Sequence, residues 1–147
     1  MQGGGRGAFA ALGESAAGFA TPIYRIKTAG KITNPNVVKV VRATNGKVLI
    51  FSRSPIPHVR GFNQEDWPSA TEFWGHMGVY AYRREVLQEY RSLPVGRLES
   101  VEMLEQLRFL EAGVGFVAVE IDYRPHAVDV PADLEEVRKI LEGKIPG

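Results

Sequence analysis

The chain has 147 residues, and its hydrophobic fraction of 44% predicts a globular domain with a buried core rather than a disordered protein. Its 18 lysine and arginine residues nearly balance 17 acidic residues and form no basic run, which argues against a general nucleic-acid-binding surface. Cysteine is absent, which excludes disulfides and thiolate metal sites and fits a reducing cytoplasm, and no apolar run approaches membrane-spanning length.

Residues 1–19 are rich in glycine and alanine and are predicted to form a flexible tail. Glycines surround Arg6, but no strand precedes them and no lysine follows closely, so a phosphate-binding loop is the second interpretation. The apolar stretch Ala8–Leu12 is too short for the core of a signal peptide. The folded domain is therefore expected to span residues 20–147, opening with a short strand over residues 20–26.

A β-hairpin is predicted next, after a turn at Asn34-Pro35-Asn36. Two β-branched runs, Val37–Ala43 and Lys47–Phe51, flank Asn45-Gly46, which is a strong hairpin signal. Both faces of each run are largely apolar, so we expect the hairpin to be buried in a sheet or at a subunit contact. Lys39 interrupts this apolarity and is interpreted as a solvent-facing strand residue in preference to a substrate contact.

Arg53 is expected at the carboxyl end of the second hairpin strand, because Pro55 and Pro57 then force an extended path out of the sheet. Strand ends of this kind carry ligand sites in α/β sheets, and a guanidinium there can bind a carboxylate in bidentate fashion. A surface arginine is the better interpretation from the residues alone. Residues 58–72 are polar, aromatic and irregular, which predicts a loop that could act as a lid or a dimer arm.

The segment Phe73–Tyr82 predicts a strand, with a helix from about Arg83 to Tyr90 after it. Its alternation places His76, Gly78 and Tyr80 on one face, where an imidazole and a phenol could together hydrogen-bond a polyol. A half-buried aromatic strand is the stronger interpretation from the spacing alone.

A single amphipathic helix is predicted over Leu98–Arg108. Its core-facing residues would be Val101, Met103, Leu104, Leu107 and Leu110, and its outer residues Glu99, Glu102 and Gln106, with Glu105 on the flank. The outer face has no lysine, which suggests a surface that meets hydroxyls or cations. An ordinary helix with an acidic first turn is the interpretation that composition favours.

A further strand is predicted over Phe116–Ile121, followed by a helix that begins at Pro131. Asp129 lies just before that helix. An aspartate in this position most often caps the helix or complements its dipole.

Five strings occur in one order: NPNVVKVV, FSRSPIP, GHMGVYAYR, LESVEMLEQLR and VDVPADLEEVR. Together they resemble the CMP-Kdo synthetases, which are 3-deoxy-manno-octulosonate (Kdo) cytidylyltransferases. The resemblance runs from about Ala20 to Leu141, does not include the tail, and covers only the second half of such an enzyme. It implies an α/β fold: the C-terminal half of a Rossmann-like nucleotide-diphospho-sugar transferase fold, with a mixed sheet, a β-hairpin and flanking helices.

The resemblance also implies the site residues. Arg53 would contact the sugar carboxylate, and His76 and Tyr80 would bind sugar hydroxyls. Glu105 and Gln106 would complete the sugar pocket, and the sixth residue, Asp129, would bind magnesium. The implied reaction transfers a cytidylyl group from CTP to Kdo for lipopolysaccharide synthesis, in a cytoplasmic homodimer, and no catalytic residue is assigned.

The glycine-containing nucleotide loop and the QGDEP-like motif of the family's first half match no string in this chain. We therefore expect little or no turnover from the chain alone. One alternative is a non-catalytic sugar-acid-binding or dimerisation module. Another is a fragment whose folding is compromised by exposed apolar strand edges such as Val37–Val41. Cytidylyltransferases for sialic acid or amino-Kdo are the alternative enzymes.

Overall fold

The computed structural model describes residues 17–90, 92–122 and 138–139, which contain a mixed six-stranded sheet and several short helices. The strands are β1 (Ala17–Ile26), β2 (Lys39–Arg42), β3 (Val48–Ser52), β4 (Phe73–His76), β5 (Ala81–Tyr82) and β6 (Gly115–Glu120). The helices are α1 (Ala29–Thr33), α2 (Trp67–Ala70), α3 (Arg84–Tyr90), α4 (Arg97–Glu102) and α5 (Gln106–Glu111). The predicted mixed α/β sheet with a hairpin and flanking helices is confirmed. No helix among the described residues is long and apolar enough to cross a membrane.

Strand β1 is the centre of the sheet. One of its edges pairs in an antiparallel sense with β4 through Ile23–Ile26 and with β5 through Phe19 and Ala20. The other edge pairs in a parallel sense with β6. Its apolar residues are buried on both faces, because Phe19 and Ile23 lie in the main core and Ala20 lies in a smaller apolar cluster on the other face. The strand begins at Ala17, so the last three residues of the predicted tail are strand.

The predicted hairpin is confirmed, and it forms one end of the sheet, with β3 as the outermost strand. Strands β2 and β3 pair in an antiparallel sense, and Gly46 in the turn has a φ of 92°, which glycine adopts readily. The other edge of β2 pairs with β4 through Lys39 and Val40. The prediction that Val37–Val41 forms an exposed edge is therefore wrong, because both edges of β2 are occupied.

Lys39 is fully buried, so its interpretation as a solvent-facing residue is wrong. Its Nζ donates hydrogen bonds to the backbone carbonyl oxygens of Asn34, at 2.8 Å, and of Val37. The predicted turn at Asn34-Pro35-Asn36 folds back beside β2 and so supplies partners for a buried ammonium. Burial first, and then the guanidinium of Arg53, lower the pKa of Lys39, while the Glu102 carboxylate opposes them.

The sheet curls so that β6 approaches the hairpin turn. Lys47 and Val117 form an isolated antiparallel bridge, and the amide of Ala118 donates to the carbonyl of Gly46 at 2.9 Å. The main core fills the space enclosed by this curl. Its aromatic centre is Phe116, whose ring stacks on Phe19 at 4.7 Å between centroids and meets Phe51 edge-on at 5.2 Å.

Residues 58–72 contain more regular secondary structure than the irregular loop that was predicted for them. They contain a short 3-10 helix, Gln64–Asp66, and helix α2. The Trp67 ring is buried, stacks on Phe73 at 5.8 Å, and donates through Nε1 to the carbonyl of Phe62. This segment is therefore anchored to a second apolar core, and its role as a lid or dimer arm stays a prediction.

The predicted strand Phe73–Tyr82 is interrupted between β4 and β5. The amide of Val79 donates to the carbonyl of Met77 at 2.8 Å, which closes a tight turn inside the segment. The hydroxyl of Thr21 on β1 donates to the carbonyl of Val79 at 2.8 Å and thus fixes the turn to the sheet. The interruption brings His76 and Tyr80 together. Their ring centroids are 5.6 Å apart, whereas four residues of continuous strand would separate the two residues by about 13 Å.

The predicted helix over Leu98–Arg108 is also wrong, because the chain breaks into α4 and α5 at Met103. Met103 has a φ of 58° and a ψ of 47°, the left-handed conformation that ends a helix. The break changes which side of each helix faces the core. Val101 and Met103 are exposed rather than buried, whereas Glu99 and Gln106 are buried. The carboxylate of Glu99 is satisfied there by the side chain of Arg108, a pairing across the break that a continuous helix would not allow.

Candidate functional site

A cavity of about 480 Å³ lies between the aromatic core and the segment that joins α4 to α5. Three of the six predicted site residues line it: Tyr80, Glu105 and Gln106. The remaining lining residues are Phe19, Tyr82, Met103, Leu104, Phe109 and Phe116. The cavity thus combines an apolar wall with a few polar groups, the usual composition of a small-molecule site.

The aromatic wall is rigidly packed. The Phe19 ring lies 4.5 Å from that of Phe109, 4.7 Å from that of Phe116 and 6.0 Å from that of Tyr80, measured between centroids. Each of these rings belongs to a different strand, turn or helix, so the wall is built where β1, β6 and α5 meet. Side chains held in this way present a fixed apolar surface to the C–H face of a ligand.

The polar groups of the cavity lack internal partners. Among the residues that the structure describes, the side chains of Tyr80, Glu105 and Gln106 make no hydrogen bond, although Gln106 is only 8% exposed. The amide atoms of Gln106 are not among the buried unpartnered atoms of the described residues, so they reach solvent through the cavity and are free to bind a ligand or water. The three side chains together offer hydroxyl, carboxylate and amide groups to one small volume.

The Tyr80 phenol remains protonated over the whole working range of pH. Burial raises its pKa above the ordinary value, and the nearby Glu105 carboxylate raises it further. The hydroxyl is therefore a neutral donor and acceptor, whereas the carboxylate of Glu105 only accepts. A polyol satisfies such a set, because each of its hydroxyls can donate to one group and accept from another.

His76 lies behind Tyr80 rather than in the cavity wall. Its ring is 5.6 Å from the Tyr80 ring and 4.7 Å from the Phe51 ring. Its Nε2 is 2.8 Å from the hydroxyl of Thr21, which already donates to the carbonyl of Val79, so Nε2 carries the proton and Nδ1 the lone pair. Burial lowers the pKa of His76 to about 4, so the imidazole is neutral near pH 7.

Thr21 is a site-shaping residue that the sequence reasoning missed. The signal available was a single hydroxyl in the otherwise apolar start of a buried strand. Its partners, His76 and Val79, are more than fifty positions away in the sequence. Local patterns carry no information about such pairs.

Arg53 approaches the cavity from the end of β3 but directs its guanidinium at backbone oxygens. Nε donates to the carbonyl of Glu102 at 2.7 Å and one terminal nitrogen to that of Met103 at 3.2 Å. The other terminal nitrogen donates to the carbonyl of Pro35 at 3.0 Å. Three of the five N–H groups of the guanidinium are thus engaged within the chain.

Asp129 lies outside the described residues, and so does the helix predicted from Pro131. Within the described ranges, no group of three or more histidine and acidic side chains could hold a metal ion. The acidic residue nearest the cavity, Glu105, is a single carboxylate. The described residues therefore do not by themselves fit a magnesium site.

A family model described as Cytidylyltransferase matches residues 6–121. The chain is 44% identical over 121 residues to the 3-deoxy-manno-octulosonate cytidylyltransferase of Solibacter usitatus (strain Ellin6076), a match covering 82% of the chain and 46% of that protein. It is 48% identical over 111 residues to the protein of that name from Chlorobium limicola, covering 76% of the chain and 43% of that protein. A solved structure of CMP:2-keto-3-deoxy-manno-octonic acid synthetase complexed with CTP is similar, with a TM-score of 0.68 and 37% identity over 94% of this chain and 56% of that chain.

The chain spans about half the length of the curated relatives it matches. The family match begins at residue 6, within the segment that was predicted to be a tail unlike the family. The placement of the chain in the second half of such an enzyme stays a prediction that rests on the order of its motifs.

Proposed function

This chain belongs to the cytidylyltransferase family, as its motifs predicted, and from that premise we propose that it carries the sugar-acid-binding part of a Kdo cytidylyltransferase. In the proposed reaction, the anomeric hydroxyl oxygen of Kdo attacks the α-phosphorus of CTP. A new P–O bond forms, the bond to pyrophosphate breaks, and CMP-Kdo results. Transfers of this class depend on alignment and charge neutralisation rather than on a covalent enzyme intermediate.

The observation that carries the proposal is the cavity with three unpartnered polar side chains against an aromatic wall. We assign Tyr80, Glu105 and Gln106 to the hydroxyls of the sugar. The Glu105 carboxylate accepts hydrogen bonds from hydroxyls, and the Gln106 amide both donates and accepts. The aromatic wall excludes water and packs against the C–H face of the ring, which strengthens these hydrogen bonds.

His76 and Arg53 lie beside the proposed sugar site rather than in its lining, and their contacts with the sugar remain predictions. The neutral imidazole of His76 can accept a hydrogen bond from a hydroxyl at Nδ1, because its Nε2–H donates to Thr21. Arg53 retains two N–H groups beyond its three backbone hydrogen bonds, and its contact with the sugar carboxylate stays a prediction.

The nucleotide and the metal belong to the proposal as well. The similar solved structure is a complex with CTP, which supports CTP as the second substrate. We propose that Asp129 contributes one carboxylate to a magnesium site, which would neutralise charge on the phosphates.

The experiment that tests the proposed function is titration calorimetry of the chain with Kdo. Gln106→Met keeps the size of the side chain and removes its amide, so it should weaken Kdo binding about tenfold. Gln64→Met makes the same change at an exposed position far from the cavity and should bind Kdo like the unmodified chain. Failure of the unmodified chain to bind Kdo at millimolar concentration would overturn the proposal.

A non-catalytic sugar-acid-binding module is the second candidate, because the chain spans about half the length of its relatives. It shares the cavity and differs in turnover alone, so an assay of CMP-Kdo formation separates the two. Competition of Kdo binding by sialic acid and by amino-Kdo identifies the preferred sugar acid. Stronger binding of either competitor would redirect the assignment to the corresponding cytidylyltransferase.

We also propose that the protein acts in the cytoplasm as a homodimer, in the supply of activated Kdo for lipopolysaccharide. The absence of cysteine supports a reducing compartment. Exposed apolar side chains on α4 and its approach, Val95, Leu98 and Val101, support a protein contact. Sedimentation at micromolar concentration should show a dimer, and a monomer over that range would contradict the assignment.

A further inference from the structure

The strongest unexplained feature near the cavity is the break between α4 and α5. Met103 adopts a left-handed conformation that is unfavourable for a non-glycine residue, and its side chain is 76% exposed, so packing of that side chain does not compensate. The residues that follow immediately, Leu104, Glu105 and Gln106, form one wall of the cavity. Whatever holds Met103 in this conformation therefore sets the position of that wall.

The guanidinium of Arg53 is bonded to both sides of the break. It donates to the last carbonyl of α4, that of Glu102, and to the carbonyl of Met103 itself. These carbonyls have no partner within the helix at its carboxyl end, and a cation there also complements the helix dipole. A third hydrogen bond, to the carbonyl of Pro35, fixes the guanidinium to the turn before β2.

Two further contacts lock this arrangement to the sheet. The carboxylate of Glu102 accepts hydrogen bonds from the backbone amide of Arg53, at 2.9 Å, and from the hydroxyl of Ser52. The buried Nζ of Lys39 holds the carbonyls of Asn34 and Val37, on either side of Pro35. The turn, the end of β3 and the helix break are therefore joined by charge-assisted hydrogen bonds, the stronger class of hydrogen bond in proteins.

We propose that Arg53 acts as a positioning residue for the sugar cavity: by holding the carbonyls of Glu102 and Met103, it places Glu105 and Gln106 for binding. The proposal rests on the proposed function for the identity of the ligand. It differs from the predicted role of Arg53 as a ligand of the sugar carboxylate. Loss of a positioning residue weakens the binding of every ligand of the cavity equally, whereas loss of a carboxylate contact weakens the binding of a charged ligand alone.

The test compares Kdo with its methyl ester in the Arg53→Lys variant. Lysine keeps the charge but lacks the planar fork that reaches three carbonyls at once. A positioning role predicts that binding of the acid and of the ester weakens by the same factor, about tenfold. Loss of acid binding with unchanged ester binding would overturn the proposal in favour of a carboxylate ligand. Arg42→Lys is the matched control, because Arg42 pairs with Glu120 and does not line the cavity, and it should leave both affinities unchanged.

A second variant leaves the guanidinium in place. Glu102→Ala removes the carboxylate that accepts from the Ser52 hydroxyl and the Arg53 backbone amide, so positioning predicts weaker binding of both ligands by a common factor of several-fold. A direct carboxylate contact by Arg53 predicts no such loss. Unchanged affinity in Glu102→Ala would count against the proposal even if Arg53→Lys does not fold.

A readout without ligand separates failure of this inference from failure of the proposed function. The amides of Met103 and Leu104 both donate to the carbonyl of Glu99, across the end of α4. In Arg53→Lys, hydrogen exchange at these two amides should accelerate at least about tenfold while the amides of β1 and β4 keep their rates. Unchanged exchange at the break, or a uniform increase over the whole chain, would overturn the positioning role whether or not Kdo binds.

Discussion

The hydroxyl of Tyr80 is available to a ligand and makes no contact within the described part of the chain that stabilises the fold. Its ring packs against Phe19, Phe116 and His76, but its hydroxyl has no partner among the described residues. Tyr80→Phe should therefore change the free energy of unfolding by less than about 0.5 kcal/mol while weakening Kdo binding about five- to tenfold. Urea unfolding and calorimetry measure the two quantities. A large loss of stability with unchanged binding would assign the hydroxyl to the fold instead.

His76 makes the stability of the protein depend on pH in a defined window. Its pKa in the folded chain is about 4, below the value of 6.5 for an unperturbed histidine. Between these values the unfolded chain binds more protons, so the free energy of unfolding should rise from pH 4 to pH 6.5, by at most about 3 kcal/mol, and then level off. In His76→Gln this contribution should vanish. Urea titrations at several pH values check the slope, and an equal slope in the variant would contradict the prediction.

At the scale of elements, the contact between α4 and α5 depends on a two-point ion pair. The side chain of Arg108 donates to both carboxylate oxygens of Glu99, at 2.7 and 2.8 Å. These hydrogen bonds, chiefly, lower the pKa of Glu99 although its burial raises it. The contribution to stability is therefore present above the unfolded pKa of the carboxyl and is lost as the pH falls through the lower folded value.

Glu99→Gln should reduce the free energy of unfolding by about 1–2 kcal/mol near pH 7, since a buried charge-assisted pair loses one partner. Glu72→Gln is the matched control, because its pair with Arg25 is longer, at 3.5 Å, and exposed. The control should change stability by no more than about 0.5 kcal/mol. Denaturant titration of both variants measures the difference, and equal losses would refute the structural role of the Glu99 pair.

The hairpin and the two helices α4 and α5 show which local structures the sequence patterns can predict and which they cannot. The hairpin followed from its turn, because Asn45-Gly46 determines the local geometry by itself. The break at Met103 did not, because its determinants, Arg53 and Glu102, are brought together by the fold from opposite halves of the described chain. Apolar periodicity across Leu98–Arg108 suggested a continuous helix and so assigned the wrong sides to the core.

For the whole molecule, the fold matches that of the similar solved structure. Here a side chain at Gly75 would lie within 2.4 Å of the Tyr24 ring on the paired strand, so the ring takes the place of that side chain. The grouping of Tyr80, Glu105 and Gln106 was predicted through the family resemblance, since their separation along the chain gives no indication of proximity.

The last prediction concerns the chain as a whole, and it separates binding from turnover. The described residues provide a cavity suited to a polyol but no cluster of ligands for a metal ion, and the chain spans about half the length of its relatives. We therefore expect the 147-residue chain to bind Kdo yet form little or no CMP-Kdo from CTP and Kdo with magnesium present. The physical reason is that alignment of the α-phosphorus requires groups that hold the nucleotide as well as the sugar.

Release of pyrophosphate, followed in a coupled assay, measures this turnover, and the intact synthetase of Chlorobium limicola is a suitable positive control at 48% identity. Turnover comparable to that of the control would show that this chain holds CTP productively by itself. In that case the nucleotide site would have to lie on residues of this chain outside the cavity, and Asp129→Asn would be the first variant to locate it. Kdo binding without turnover would instead assign these residues to sugar recognition, with the nucleotide held by other parts of the enzyme.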